Sequence, residues 1–399
     1  MRRDNRHPRE WDFAPDPVAA TGAVLGLVSV FLPFLDYKTS RLATGTGLAL
    51  WDTAGWAWTA ALALLWLVCL GTAFTGNRFR RARAGGIAAS LALVAVFMLA
   101  GTQARALAGG SSLARISPDA GIWSALAAAY ITLFAVRRAL AASPAWKWGL
   151  SAAAPAVVAA LLLGGWLNNL GVVQEYLNQP ERFNQEFVQH VALFAGSVGV
   201  GTALGVPLGI LSARSGRAEK PVFIIANITQ TIPSLVLFGL LIAPLAALSA
   251  AFPALQSLGI HGVGAAPAVI ALTIYSLLPL VRNTYVGLRQ IDPAVIDAGR
   301  GMGMSPGQVF RRLEIPLAIP LVMTGVRTAA VQGGGNAAVA ALIGAGGLGQ
   351  FIFQGLGQAA PDLVLLGALP IIALALAVDA VMGAIVAAVK PRGLAGAAP

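Results

Sequence analysis

The sequence is poor in the residues that most catalytic and metal centres need. Only 11% of the 399 residues are charged, whereas a soluble globular domain carries about 25%. The single cysteine, Cys69, lies in an apolar run, which excludes a disulfide framework and a cysteine metal cluster. The three histidines, His7, His190 and His261, are too far apart in sequence to indicate a metal site. These shortages exclude a water-soluble protein and give no support to a metalloenzyme.

Apolar runs fill most of the chain instead. They are about 20 residues long, which is the length that a helix needs to cross the hydrocarbon core of a bilayer. Hydrophobic residues make up 57% of the sequence, and the mean hydropathy is +0.75. We therefore expect an all-α polytopic membrane protein with about ten transmembrane helices. The expected spans are 17–35, 56–75, 84–103, 121–136, 148–167, 187–213, 221–246, 264–282, 318–343 and 362–388.

The cationic residues collect on one side of these spans. Segments on the side of the N-terminus hold 21 of the 27 Lys and Arg residues, segments on the other side hold five, and Arg327 lies within a span. By the positive-inside rule, we expect the N- and C-termini to be cytoplasmic. The net charge of +11 is explained in this way by contact with membrane lipid, without a nucleic-acid partner.

The composition changes in the middle of the chain. All nine tryptophans precede residue 168, and most of the 23 prolines follow it. We therefore expect an N-terminal transmembrane region of about five helices, for which the sequence predicts no role. The expected divisions are this region at 1–167, an extracytoplasmic linker at 168–186, a second membrane domain at 187–389 and a cytoplasmic tail at 390–399.

The segment between the eighth and ninth expected spans, 283–317, is too long and too patterned for a simple connection. Asp292-Pro293 predicts the start of a short helix that ends near Gly301, and Ser305-Pro306 predicts the start of a second. Two short helices beneath a membrane indicate a docking surface. An ordinary amphipathic loop is the alternative.

This segment resembles the EAA loop of the membrane permease subunits of ATP-binding-cassette (ABC) importers. That loop has an acidic-Ala-Ala core, a glycine four residues later and a closing apolar-x-Leu-Pro. Here Asp297-Ala298-Gly299 stands at the core, and Gly stands where the family has the second Ala. The resemblance implies a loop that fits a groove on a separate ATPase. The residues to which it assigns this role are Asp297, Ala298, Gly299, Gly301, Gly303, Ser305, Phe310 and Pro316.

Further segments narrow the resemblance to the osmoprotectant permeases, which carry glycine betaine, carnitine and choline. These segments include GVPLGILSAR (205–214), NITQTIPSLVLFG (227–239) and ALIGAGGLGQFIFQG (341–355), and the resemblance covers about residues 187–389. It implies a MetI-like ABC importer permease core and a transport subunit that is not an enzyme. This chain would bind no cofactor, since ATP and Mg would bind to the partner ATPase.

The resemblance also implies the remaining partners and leaves alternatives open. The partners are a second permease, either this chain again or a shorter homologue, and an extracytoplasmic substrate-binding protein. A permease for another small solute, such as an amino acid, fits the same loop. An ion-coupled secondary carrier is a further alternative, although within the spans only Arg327 and Asp379 would serve it.

Polar residues inside spans are functional candidates because they are expensive to place in hydrocarbon. One set fits a transient polar passage for a quaternary ammonium compound, and helix packing is the alternative use. This set is Asn227, Gln230, Thr231, Ser234, Tyr275, Gln332 and Asn336. Arg327 and Asp379 lie at similar depth and are candidates for an ion pair. A snorkelling Arg327 and a direct substrate role are the alternatives.

One glycine-rich motif satisfies the dinucleotide-binding pattern G-x-G-x-x-G at 344–349. Such a site needs a preceding strand, whereas this motif follows an expected span. We therefore expect a flexible turn on the outer side and no nucleotide site.

Overall fold

The computed structural model describes residues 15–41, 43–74, 78–111, 113–141, 143–257 and 259–391. About 80% of the chain is helical, which confirms the expected all-α membrane class. The chain divides into two compact units between Asn178 and Gln179. This division falls inside the expected linker 168–186, although both sides of it are helical.

The N-terminal unit is a bundle of long helices with a few short ones. Its helices are α1 (Pro17–Ser29), α2 (Leu50–Thr53), α3 (Trp56–Phe74), α4 (Arg78–Ala108), α5 (Ala120–Ala139), α6 (Pro144–Leu163) and α7 (Gly171–Asn178).

Small residues let the helices of this bundle approach closely. A Cβ at Gly26 of α1 would lie 2.2 Å from the ring of Trp66 on α3, and one at Gly22 would lie 2.4 Å from the hydroxyl of Thr132 on α5. Trp66 is completely buried. Close packing of this kind holds membrane helices together, since lipid gives no hydrophobic drive between them.

A small antiparallel sheet, which the sequence did not predict, joins two loops of this unit. Its strands are β1 (Leu35–Lys38), β2 (Thr46–Leu48) and β3 (Arg115–Pro118), in the order β2-β1-β3. The expected first span, 17–35, is therefore wrong at its end. Helix α1 has only 13 residues, or about 20 Å, because the chain leaves the helix before Pro33 and enters the sheet.

The C-terminal unit is built around one central helix. Its helices are α8 (Pro180–Arg214), α9 (Gly216–Thr231), α10 (Ser234–Ala251), α11 (Pro253–Ser257), α12 (Ala265–Arg289), α13 (Pro293–Gly301), α14 (Pro306–Val309), α15 (Ile315–Ala337), α16 (Gly349–Gly357) and α17 (Pro361–Ala388). A π-helical turn, Phe310–Glu314, joins α14 to α15, and a 3₁₀ turn, Val339–Ile343, follows α15.

Helix α12 packs against α8 on one side and α15 on the other. Gly201 and Gly209 of α8 lie against the side chains of Ser276 and Thr284 on α12, where a Cβ would come within 1.9 and 2.6 Å. Gly325 of α15 makes a similarly close approach to α12. These glycines fix the three helices in one register.

The expected seventh span, 221–246, is wrong as a single helix. Helix α9 ends at Thr231 and α10 begins at Ser234, with Ile232 and Pro233 between them. Ile232 is extended, with ψ 126°, because the ring of the following proline disfavours helical backbone at the residue before it. In the described residues, nine helices are long and apolar enough to cross a membrane, and neither α1 nor α9 is among them.

Candidate functional site

The two short helices predicted after α12 are both present, and their own side chains cap them. The Asp292 carboxylate accepts a hydrogen bond from the Ala294 amide at 2.9 Å and begins α13. Ser305 and Gln308 form a reciprocal capping box at the start of α14, with bonds of 2.8 and 3.4 Å. Gly303, which lies between α13 and α14, has φ +83°, a conformation that glycine adopts at little cost. We call residues 292–314 the docking loop.

Gly299 is the position at which the docking loop departs from the acidic-Ala-Ala pattern by the loss of a side chain. This glycine is buried, and a Cβ there would lie 2.6 Å from Cδ1 of Leu313 in the π-helical turn. Val309 is also buried, at 2% exposure. The loop is therefore a small packed unit, in which α13 lies close against the turn that leads into α15.

The opposite face of the docking loop is exposed. The side chains of Asp297 and Arg300 are 72% and 68% exposed and lie 3.6 Å apart. Met302 is 71% exposed. Phe310, another of the residues that the resemblance assigns to ATPase coupling, is half-buried. The exposed members of that set are Ala298, Gly301, Gly303, Ser305 and Pro316.

Arg214, the last residue of α8, connects the docking loop to the membrane domain. Its Nη2 donates to Oε2 of Glu314 at 2.6 Å, and its guanidinium carbon lies 4.1 Å from the centroid of the Phe310 ring. A cavity of about 500 Å³ lies beside this contact, between the end of α8, the end of α12 and the loop. No local sequence pattern predicts this contact, because Arg214 and Glu314 are 100 residues apart.

The expected polar passage residues fall into two groups. Gln230 Nε2 donates to the backbone carbonyl of Tyr275 at 2.6 Å, and the Tyr275 hydroxyl donates to the carbonyl of Ile232 at the break between α9 and α10. These two side chains thus hold the broken helix against α12. The others lie on α9, α10 and α15: Asn227, Thr231 and Gln332 are exposed, and Ser234 and Asn336 are half-buried.

The structure brings Arg327 of α15 and Asp379 of α17 together as a two-bond pair. Arg327 Nε and Nη2 donate to the two carboxylate oxygens of Asp379, each at 2.6 Å. Gly383 lies one turn beyond Asp379, and a Cβ there would lie 3.5 Å from the guanidinium carbon. The two side chains remain 37% and 43% exposed on the surface of the C-terminal unit.

Comparison with known proteins matches both units of the chain. Residues 205–391 match the model of the binding-protein-dependent transport system inner membrane component. Residues 16–173 match the model of the N-terminal domain of the ABC transporter permease YehY.

Curated relatives of the chain are permease subunits. The carnitine transport permease OpuCB of Listeria monocytogenes is 40% identical over 52% of this chain and 87% of its own length. The osmoprotectant import permease OsmW of Salmonella typhimurium is 41% identical over 52% and 91%. The choline transport permease OpuBB of Bacillus subtilis is 35% identical over 52% and 88%.

The chain belongs to this family of ABC importer permeases. It is a multi-pass membrane permease, consistent with the inner membrane, and like its relatives it is a transport subunit rather than an enzyme. Membership implies an ATPase on a separate subunit and a substrate-binding partner.

A second polar cluster in the permease was missed by the sequence reasoning. Near the start of α8, Glu186 accepts a hydrogen bond from the Gly347 amide at 2.6 Å, and Gln189 donates to the Ala345 carbonyl at 3.1 Å. His190, which is fully buried, lies with Nε2 3.0 Å from the Gly334 carbonyl. The spacing of these three residues, which places them on one helix face, was the available signal.

The cluster makes two hydrogen bonds to the backbone of the glycine-rich motif, which forms a turn. Gly344, Gly346 and Gly347 have φ of +77°, +77° and +89°. The motif follows the 3₁₀ turn Val339–Ile343, so the strand that a dinucleotide site requires does not precede it.

Proposed function

We propose that this permease imports small quaternary-ammonium osmolytes of the glycine betaine, carnitine and choline class, driven by ATP on its partner. The substrate class is supported by the relatives, which are named for carnitine, osmoprotectant and choline transport at 35–41% identity. The observation that carries the coupling mechanism is the docking loop, a packed and capped pair of short helices with one exposed face.

The docking loop would receive the ATPase on the face that carries Asp297, Arg300 and Met302. Movement of this face reaches the membrane domain by two routes. One runs through the π-helical turn into α15, which is continuous with the loop. The other runs through Glu314 and Phe310 to Arg214 at the end of α8. A loop that is rigid and attached at two points moves both helices together.

The substrate passage would lie beside the break between α9 and α10. A zwitterion or cation of this class is recognised by aromatic faces and hydrogen-bonding groups rather than by one strong counter-charge. Asn227, Thr231, Ser234, Gln332 and Asn336 would line it with neutral polar groups. Gln230 and Tyr275 connect the break to α12 by hydrogen bonds to the backbone, so the break would move together with α12.

The Arg327–Asp379 pair supports assembly with a second permease, either this chain or a shorter homologue. A charged pair that is more than a third exposed is costly against lipid, so a protein partner or the passage would cover it. We place the docking loop and both termini on the cytoplasmic side, where ATP and Mg bind to the ATPase. An extracytoplasmic binding protein would deliver substrate from the other side.

Uptake measured in cells without other osmolyte systems tests this function. The chain is expressed with its ATPase and binding protein, and uptake of radiolabelled glycine betaine is measured with choline, carnitine and methionine as competitors. We expect uptake that choline or carnitine inhibits and that an ATPase-inactive partner abolishes. Inhibition by methionine alone would assign an amino-acid substrate. Uptake that survives loss of the ATPase would indicate a secondary carrier.

A further inference from the structure

A groove opens on the N-terminal unit between α4, α5 and α6. Its volume is about 660 Å³, within the range of roughly 300–1,000 Å³ that is usual for small-molecule clefts. Most of its wall is apolar, and one end is cationic. The apolar residues are Leu93, Leu126, Ala129, Leu133, Phe134 and Pro155, and the cationic ones are Arg137, Arg138 and Lys147.

The three helices that form the groove carry no acidic residue. Arg137 and Arg138 lie in the last turn of α5, and Lys147 lies in the first turn of α6. The sequences of α4, α5 and α6 contain no Asp or Glu. An anion at this end would therefore meet the positive charges of Arg137 and Arg138.

An exposed tryptophan lies beside the same cations. The Arg137 guanidinium carbon and the Lys147 nitrogen lie 5.5 and 5.9 Å from the centroid of the Trp148 ring, which is 63% exposed. Tryptophan rings are enriched at the level of lipid headgroups. The cationic end of the groove therefore has the side chains that are typical of a membrane interface.

The groove has the length of one bilayer leaflet. Leu126 and Arg137 lie 11 positions apart on α5, which is about 16 Å along the helix. Half of a hydrocarbon core of about 30 Å is nearly the same length. Tyr130 and Phe134, which are 73% and 49% exposed, border the groove along this distance. With its cationic end at the level of the phosphates, the apolar part of the groove would therefore lie at the level of the acyl chains.

We propose that this groove is a binding site for one anionic phospholipid. The phosphate binds to Arg137, Arg138 and Lys147, and one acyl chain lies along Leu126, Leu133 and Phe134. A zwitterionic lipid fills the apolar part equally well, but its headgroup also places a positive charge beside the cationic residues, which weakens its binding. The site thus selects by headgroup charge, and this selectivity distinguishes it from the general lipid surface of the protein.

Native mass spectrometry of the full-length chain tests the proposal. The protein is titrated with dioleoyl phosphatidylglycerol or with dioleoyl phosphatidylcholine, which have the same acyl chains. For the first bound lipid we expect the wild type to prefer phosphatidylglycerol, and the variant Arg137→Gln/Arg138→Gln/Lys147→Gln to lose roughly 10- to 100-fold of that preference. Equal binding of both lipids by the wild type, or an unchanged preference in the variant, would overturn it.

Two further variants separate this site from a general effect of charge. The variant Arg217→Gln/Lys220→Gln/Arg282→Gln removes three exposed cations from the C-terminal unit and should keep the wild-type preference. Leu133→Trp fills the groove and should weaken the first binding event for both lipids. If the control lost the preference as the groove variant did, or if Leu133→Trp bound lipid normally, the groove would not be the site.

Discussion

The Nη2 atom of Arg214 lies 2.6 Å from Oε2 of Glu314, so that the last residue of α8 is bonded to the π-helical turn that ends the docking loop. The Phe310 ring lies against the same guanidinium. The loop is thus attached both to the helix that follows it and to a helix far away in sequence. We expect loss of this contact to lower the uptake per ATP hydrolysed more than it lowers the stability of the protein.

Arg214→Gln should uncouple ATP hydrolysis from uptake. Arg214 is 49% exposed, and pairs of this kind stabilise a protein by no more than about 1 kcal/mol, so the thermal midpoint should change little. Uptake per ATP hydrolysed, measured in proteoliposomes, should fall several-fold. Arg217→Gln, which removes an exposed charge of the same sign three residues away, is the matched control. If the two variants gave the same uptake per ATP hydrolysed, the contact between Arg214 and Glu314 would have no role in coupling.

Gly303→Val should disorganise the docking loop. A β-branched residue at φ +83° costs about 1–2 kcal/mol, and this strain falls on a turn between two short helices. Gly303→Asn is the control, because asparagine adopts this conformation readily. Both variants should insert normally, and co-purification of the ATPase should fall with valine only. Normal recovery of the ATPase with Gly303→Val would show that the turn is dispensable for docking.

Gly299→Leu should separate α13 from the π-helical turn. Its Cβ would lie 2.6 Å from Cδ1 of Leu313, so a leucine side chain at this position would compete for the space that Leu313 occupies. We expect Gly299→Leu to reduce uptake. The combination with Leu313→Ala provides space for the added side chain and should restore part of that uptake. Limited proteolysis of the docking loop gives the structural readout, with faster cleavage in the single variant than in the pair. Identical cleavage rates would contradict this packing.

Tyr275→Phe should loosen the break between α9 and α10. It removes the hydroxyl that donates to the Ile232 carbonyl, which lies where the helix is interrupted by Pro233. The loss of a hydrogen bond to a carbonyl in the membrane costs about 1–3 kcal/mol. We expect a lower thermal midpoint and reduced uptake with expression unchanged. Tyr285 lies on α12, like Tyr275, and its hydroxyl donates to Glu219 on α9. Tyr285→Phe is therefore the control and should leave the break and the uptake intact.

Single variants of Arg327 and Asp379 should lose assembly of the complex. Each leaves a charge without its partner in a segment that crosses the membrane. Exchange of the two residues, Arg327→Asp with Asp379→Arg, keeps opposite charges together and should restore part of the assembled fraction on size-exclusion chromatography. If Asp379→Asn assembles and transports like the wild type, the pairing has no functional role.

The docking loop could be predicted from sequence because its signals are local. Asp292-Pro293 and Ser305-Pro306 mark helix starts in the residues themselves, and Gly303 marks the turn. The depth of Arg327 and Asp379 in their spans was enough to suggest the pair that the structure brings together. In each case the necessary information lies within one helix or at a known depth in the membrane.

The remaining features depend on contacts that no local pattern encodes. Strand β1 pairs with β3 across about 80 residues, and neither strand is long enough to show alternation. Apolar residues continue across Pro233 without a charged residue, so an averaged window predicts one span where the backbone breaks into two helices. The bond between Arg214 and Glu314 likewise exists only once α8 and α15 have packed against α12.

Photo-crosslinking from the docking loop tests whether this loop binds the ATPase during transport. A photoreactive residue is introduced at Ala298, which is exposed on α13, and at Ala254, which is exposed on α11, in the complex of the full-length permease with its ATPase and binding protein. The account predicts that position 298 crosslinks to the ATPase, that the yield changes when ATP is added, and that position 254 does not crosslink to it. A complex that takes up substrate normally but gives no crosslink from position 298 would contradict the claim that this loop couples the ATPase to transport.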